Sequence, residues 1–186
     1  MKKFFVLSVF VVLAACNSNE PTKTAAMTDS VKPAAEATMP AIKSPYPIGY
    51  SSDFEKDDPK NAETLLALWK VWENGDLTAS KDMFADSVQL IFSDGSSLHS
   101  SRDSVIAAAQ KFRNTFASSI SSVDAVMATK SVDKNEHWAL IWGKEVNTDK
   151  KGKVDSSHLQ ETWRFNKDGK ADLMFQYRQA IAPPKK

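Results

Sequence analysis

All five tryptophans fall between residues 69 and 163, and seven of the ten phenylalanines fall between 54 and 175. Large aromatic side chains need a core to enter, so the folded part of this chain is confined to roughly residues 50–182. About 130 residues enclose one good core and not two. Residues 16–49 have the opposite composition. They hold five of the eight prolines (Pro21, Pro33, Pro40, Pro45, Pro47), many Ala, Thr, Ser and Lys, and one aromatic, Tyr46. So little apolar surface cannot offset the entropy of ordering, and the stretch reads as a disordered tether with an r.m.s. reach of about 30 Å. Residues 183–186 form a short polar tail.

Within the folded part the hydrophobic period changes once. Ala62, Leu65, Leu66, Trp69 and Trp72 lie on one helical stripe, opened by Asp57-Asp58-Pro59 and closed by Asn74-Gly75. Thr78 can cap a short second helix running to Phe84. Val88, Leu90 and Phe92 then alternate with period two up to the turn Asp94-Gly95. A third helix starts at Ser100 or Ser101 and is expected to bury Val105, Ala109, Phe112 and Phe116. Four extended segments follow, at about 121–132, 137–146, 154–165 and 171–181, separated by turn-forming strings such as Asn166-Lys167-Asp168-Gly169. This order predicts an α+β fold: a curved antiparallel sheet forming a cone, with three N-terminal helices packed on its concave face.

The chain resembles the nuclear transport factor 2-like superfamily, which includes ketosteroid isomerases and SnoaL-type polyketide cyclases. The resemblance is carried by Leu68 to Asp76 (LWKVWENGD), Phe84-Ala85-Asp86 running into Val88-Gln89-Leu90, Asp94-Gly95, Arg102-Asp103-Ser104-Val105, Trp163-Arg164-Phe165, Asp168-Gly169-Lys170 and Tyr177. It spans nearly the whole folded region. By this resemblance, the steroid isomerases' catalytic tyrosine position falls on Leu68, their general base on or beside Phe92, and their oxyanion-hole acid on Glu161. Two of the three are apolar, which leaves isomerase chemistry without a base or a phenol. Glu161 remains as the one candidate acid or base.

The expected lining of the cone follows from strand alternation. Trp138, Leu140 and Trp142 share one face of a strand, and Leu159, Glu161, Trp163 and Phe165 share one face of the next. Both sets are expected to point inward toward Trp69, Trp72 and Phe92. Stacked indoles equally suit a plain core, but a carboxylate among them must be hydrogen-bonded, paired or protonated, and Arg178 is a candidate partner. For the last strand two registers compete. Apolar content favours Leu173, Phe175, Tyr177 and Ile181 as the core face, whereas the resemblance puts Met174, Gln176 and Arg178 in the cone. Following the resemblance places Leu173, Phe175 and Tyr177 on the outer face, where members of the superfamily often dimerise.

Several chemistries are not signalled. His99, His137 and His158 have no metal-ligand spacing, so no metal or cofactor is expected. The six glycines are isolated, without a phosphate-cradling loop, and no GxSxG nucleophile elbow occurs. Asp94 reads as a turn former. With 24 basic against 23 acidic residues there is no footprint for nucleic acid.

The N-terminus carries a positive start at Lys2 and Lys3, then an apolar stretch from Phe4 to Ala15 broken by Ser8. Twelve helical residues span about 18 Å, well short of the roughly 30 Å of hydrocarbon in a bilayer. Leu13-Ala14-Ala15-Cys16 resembles the lipobox of bacterial lipoproteins, and Cys16 is the only cysteine. The resemblance implies a signal peptide over residues 1–15, lipidation (palmitate included) at Cys16, and a domain held on its membrane. Cleavage there removes Lys2 and Lys3 and leaves one net negative charge. Asn17, in place of a retaining aspartate, implies the outer membrane. The expected function is a lipid-anchored cone for a small amphipathic ligand, without catalysis. The alternatives are a SnoaL-like lyase or isomerase with Glu161 as acid or base and Trp142 and Gln176 shaping the pocket, or a structural module with a filled cone.

Overall fold

The structure is a computed structural model that describes residues 42–182. The expected signal peptide, Cys16, most of the expected tether and the residues after 182 lie outside the described residues. The elements run β1 (Phe54–Lys56), α1 (Lys60–Asn74), a 3-10 helix (Leu77–Met83), β2 (Phe84–Ile91), β3 (Ser97–Ser101), α2 (Arg102–Arg113), β4 (Phe116–Ser131), β5 (Glu136–Asp149), β6 (Val154–Phe165) and β7 (Ala171–Ala180). Seven strands form one curved, unclosed sheet in the order β1-β4-β5-β6-β7-β2-β3. The α+β class, the three helices and the curved sheet agree with the expectation. One pair departs from an all-antiparallel sheet, since β2 runs parallel to β7. The long β4–β7 meander returns its last strand beside β2 in the same direction, which makes the sheet mixed.

Helix α1 starts as its sequence dictates. Asp58 Oδ1 accepts the Lys60 N–H at 2.9 Å, Pro59 is already helical, and Gly75 closes the helix in the left-handed conformation. Its inward stripe is Ala62, Leu65, Leu68 and Trp69, with Trp72 half-buried. Leu66 is exposed, because the helix is rotated to present Leu68 to the sheet. The 3-10 helix is capped by Asp76, which accepts the Thr78 N–H, and not by Thr78. It ends one residue early, so Phe84 opens β2.

Ser101 caps α2, which buries Val105 and Ile106. Phe112 is exposed on this helix and Phe116 belongs to β4, both contrary to the predicted buried face. The end of α2 supplies a device with no sequence signature. Arg113, 6% exposed, donates from Nε to the Trp72 carbonyl at 2.7 Å and from Nη2 to the Glu73 carbonyl at 3.0 Å. A guanidinium thus satisfies the last carbonyls of α1 and fixes the two helices to each other.

Strand β6 has the predicted bounds, β5 and β4 are longer than predicted, and β1 and β3 were unanticipated. Both short strands are polar, with Phe54 and Leu98 their only large apolar residues, so no alternation marks them. β1 adds to β4 and leads the chain across the outer face of the sheet, where Tyr50 meets Trp138 edge-on at a centroid distance of 6.2 Å.

Candidate functional site

The sheet registers decide which side chains enter the cone. Glu161 is paired with Ile141 on one side and Gln176 on the other, and Trp163 with Ala139 and Met174. Leu159 is paired with Gly143 and Arg178. The concave face therefore carries Ile141, Ala139 and Gly143 from β5 and Met174, Gln176 and Arg178 from β7. The register chosen for the last strand is the one found, with Leu173, Phe175 and Tyr177 on the outer face.

The same pairing corrects the reading of β5. Trp138 is opposite Arg164 and Trp142 opposite Gln160, so Trp138, Leu140 and Trp142 point out of the cone. Trp138 lines a groove of about 520 Å³ on the outer face, together with Tyr50, Phe54, Leu140, Phe175 and Tyr177. The physical reason is volume. The Trp69 ring lies so close to the sheet that a Cβ on residue 143 would come within 2.8 Å of it and 2.2 Å of the Ser122 carbonyl oxygen. Only glycine fits beneath that indole, and the small residues of β5 face inward to admit the helix.

Between the helices and the concave face is a cavity of about 630 Å³. Its lining includes Leu68, Trp69, Trp72, Phe92, Glu161, Trp163, Gln176 and Arg178, as anticipated. Leu68, Phe92 and Glu161, the three positions carried over from the isomerases, therefore do converge on one space. Val105, Ile106 and Leu90 complete an apolar wall.

Glu161 is held by three neutral donors. Its Oε2 accepts from Trp69 Nε1 at 2.8 Å and Trp163 Nε1 at 2.9 Å, and its Oε1 accepts from Gln176 Nε2 at 2.8 Å. At 5% exposure it is buried, and among the described residues no cation is bonded to it. Arg178 is not its partner: that guanidinium donates to Ser157 Oγ at 2.6 Å and to the Asp155 carboxylate. Every described bond at Glu161 runs into the carboxyl group.

A second carboxylate completes the polar end of the cavity. Glu145 lies on β5 two residues beyond Gly143, on the same face, beside Ser121 in the cavity wall. Burial holds its carboxyl above the ordinary 4.5, the charge of Glu161 adds to the rise, and the Asn147 hydrogen bond and the Arg178 charge oppose it. Asn147 Nδ2 donates to Glu145 Oε1. Trp72 Nε1, the third indole of the cone, donates to Ser119 Oγ at 3.0 Å. Sequence reasoning missed Glu145 because the alternation around it had been given the wrong face. Once Trp142 points outward, Glu145 must point inward.

Asp94 lies at the cavity mouth, where Ser96 donates to its Oδ1 from Oγ and from the backbone. Those bonds hold its carboxyl below the ordinary value, in keeping with a turn former. His137 is bonded to Asp57 at 2.8 Å and His99 to Ser87 at 3.1 Å, far from each other in the fold. Among the described residues no three His, Cys, Asp or Glu side chains cluster to hold a metal ion. Nor, among them, is any helix long and apolar enough to cross a membrane.

No protein-family model and no curated protein matches the sequence. Solved structures do match the fold. A protein described as a SnoaL-like polyketide cyclase from Jannaschia sp. CCS1 is 13% identical, with 67% of this chain and 90% of that one covered and a TM-score of 0.55. An NTF2-like protein of unknown function from Burkholderia pseudomallei is 19% identical over 64% of this chain and 91% of that one, with a TM-score of 0.53. An LEH-like epoxide hydrolase of M. tuberculosis is 9% identical over 64% of this chain and 83% of that one, with a TM-score of 0.54. The folded region thus has the NTF2-like fold, a cone on which different proteins carry different chemistries.

Proposed function

We propose that this chain is a lipid-anchored binding protein whose cone holds one small amphipathic molecule. The observation that carries the reading is the cavity itself: about 630 Å³ of mainly apolar wall with Glu161, Glu145 and Gln176 gathered at one polar end. That volume lies within the range of small-molecule sites, which are largely apolar with a few convergent polar groups. Binding without turnover is supported by Leu68 and Phe92 at two positions where isomerases of this fold act, and by a Glu161 whose bonds hold it in place. The anchor is Cys16, the membrane is the outer one, and Leu173, Phe175 and Tyr177 offer a face for a second copy of the chain. The lipobox, Asn17 and the exposure of Tyr177 support these assignments.

Native mass spectrometry of the full chain purified from its own membrane tests the binding reading. A stoichiometric small molecule is expected to travel with it and to be lost from a Leu68→Trp variant that fills the cavity. An empty protein under all release conditions contradicts it. Cys16→Ser is expected to leave an unprocessed precursor that takes up no labelled palmitate.

Glu145 favours one second reading. A carboxyl that burial raises above its ordinary value is suited to proton transfer, so Glu145 and not Glu161 is the acid or base if the cone is an active site. Deuterium exchange from solvent into a bound cyclic ketone, abolished by Glu145→Gln, would select this reading.

A further inference from the structure

The charged groups that line the cavity are Asp94, Glu145, Glu161 and Arg178. Arg178 is already engaged, because its guanidinium is bonded to Asp155, which is not part of the lining, and to Ser157, so its charge is divided between Asp155 and Glu145. Asp94 is turned to its own loop, where Ser96 occupies it. The two glutamates differ from both. Glu161 is surrounded by indole and amide donors, all three of them neutral. Glu145 Oε1 accepts from the neutral amide of Asn147, and the indole N–H of Trp72 acts on the same carboxyl, so both of these neighbours are neutral donors. Two carboxyl groups therefore share a mainly apolar chamber in which, among the described residues, the one lining cation is already paired to another carboxylate.

Placing like charges together in a low-dielectric space costs free energy that a counter-charge recovers. The chain keeps this arrangement although glutamine would make comparable hydrogen bonds at either position. An anionic ligand meets repulsion from both groups, a neutral one leaves the charge uncompensated, and an organic cation relieves it. The remaining wall suits the same class. Trp69, Trp72 and Trp163 bring three π-systems to the polar end, and indole is the aromatic group that attracts ammonium best.

From this geometry we infer that the cone takes a small organic cation, an amine with an apolar body, whose ammonium lies against Glu145 beside Glu161 and whose body enters the apolar wall formed by Leu90, Val105 and Ile106. The inference rests on the binding reading above and adds the charge of the ligand. It assigns the two glutamates separate tasks. Glu161 is a positioning residue, fixing the indoles around the chamber, and Glu145 makes the contact with the ligand.

The test uses three probes of one shape, 4-phenylbutylamine, 4-phenylbutan-1-ol and 4-phenylbutyrate, titrated calorimetrically into the full-length chain at pH 7.5. The amine is expected to bind at least 10-fold more tightly than the alcohol, and the carboxylate not at all. Glu145→Gln should remove the preference for the amine, so that amine and alcohol bind with equal affinity, with the unfolding midpoint no lower. If the alcohol binds as well as the amine, or the carboxylate binds best, the cationic ligand is overturned while the amphipathic-ligand reading stands. An amine preference that survives Glu145→Gln overturns the role of Glu145. Failure of all three probes to bind at millimolar concentration overturns both readings.

Discussion

The two faces of the sheet are built from the same strands, often from consecutive residues, yet they treat their tryptophans in opposite ways. On the concave face Trp69 and Trp163 donate to the buried carboxylate of Glu161, and Trp72 donates to Ser119. On the outer face Trp138 is 7% exposed and its Nε1 finds no partner among the described residues. Its cover is hydrophobic, with Tyr50 edge-on and Phe54 in the same groove. The outer indole is thus packed for area, whereas the inner indoles are packed for area and oriented by hydrogen bonds. Orientation costs polar burial, and a protein that needs only a core gains nothing from placing two carboxylates among its tryptophans. The difference is the reason for proposing the binding site on the concave side.

The largest effect that separates the faces is expected between neighbours. Gly143→Val puts a branched side chain where even a Cβ is 2.2 Å from a backbone oxygen and 2.8 Å from the Trp69 ring. A loss of about 4 kcal/mol or more is expected, enough to prevent folding. Lys144→Ala, one residue along on the other face, should change stability by about 0.5 kcal/mol or less. Chemical denaturation of both variants checks the pair, and a tolerated Gly143→Val would mean that α1 does not lie on β5 as described.

Glu161 gives the next effect. Glu161→Leu strands the N–H groups of two buried indoles and one amide, each costing about 1–3 kcal/mol, so a loss of about 3 kcal/mol is expected. Glu161→Gln keeps an acceptor for the indoles, and the Gln176 amide can turn to present its oxygen, so the loss should be near 1 kcal/mol. Equal losses for the two variants would show that charge, and not acceptor geometry, holds this network.

A smaller loss is expected on the outer face. Tyr50→Ala removes an edge-on aromatic contact worth about 0.5–1.5 kcal/mol, together with the hydroxyl bond to Glu136. Stability should fall by about 1 kcal/mol with ligand binding unchanged. A loss of binding instead would couple the two faces.

The smallest effect has a sign of its own. The folded state raises the Glu145 carboxyl above 4.5, so folding disfavours its ionised form. Its contribution is favourable below the unfolded value and is lost as pH rises through the raised folded one. Glu145→Gln should therefore match the parent in acid and exceed it at neutral pH, as thermal unfolding at pH 4 and pH 7.5 would show. A variant less stable than its parent at neutral pH would make Glu145 a structural group.

The limits of sequence reasoning fall along the same division. β6 was legible to the residue, because Leu159, Trp163 and Phe165 alternate cleanly and turn formers bound the strand. The inward face of β7 was not given by its apolar content and came from family resemblance. β5 misled because its outward residues, Trp138, Leu140 and Trp142, are larger and more apolar than the inward Ala139, Ile141 and Gly143. Alternation reports which residues are apolar, but the closeness of α1 decides which face must be small, and that distance exists only in the folded molecule. The misjudged face of β5 hid both the groove around Trp138 and the carboxylate of Glu145.

The indole N–H region of a ¹⁵N–¹H spectrum reads both faces at once, since the five tryptophans divide into three that line the cone and two outside it. On titration of the full chain with 4-phenylbutylamine, the signals of Trp69, Trp72 and Trp163 should move together and saturate, while those of Trp138 and Trp142 stay in place. Movement of Trp138 with the three inner signals still would place the ligand in the outer groove and contradict the account.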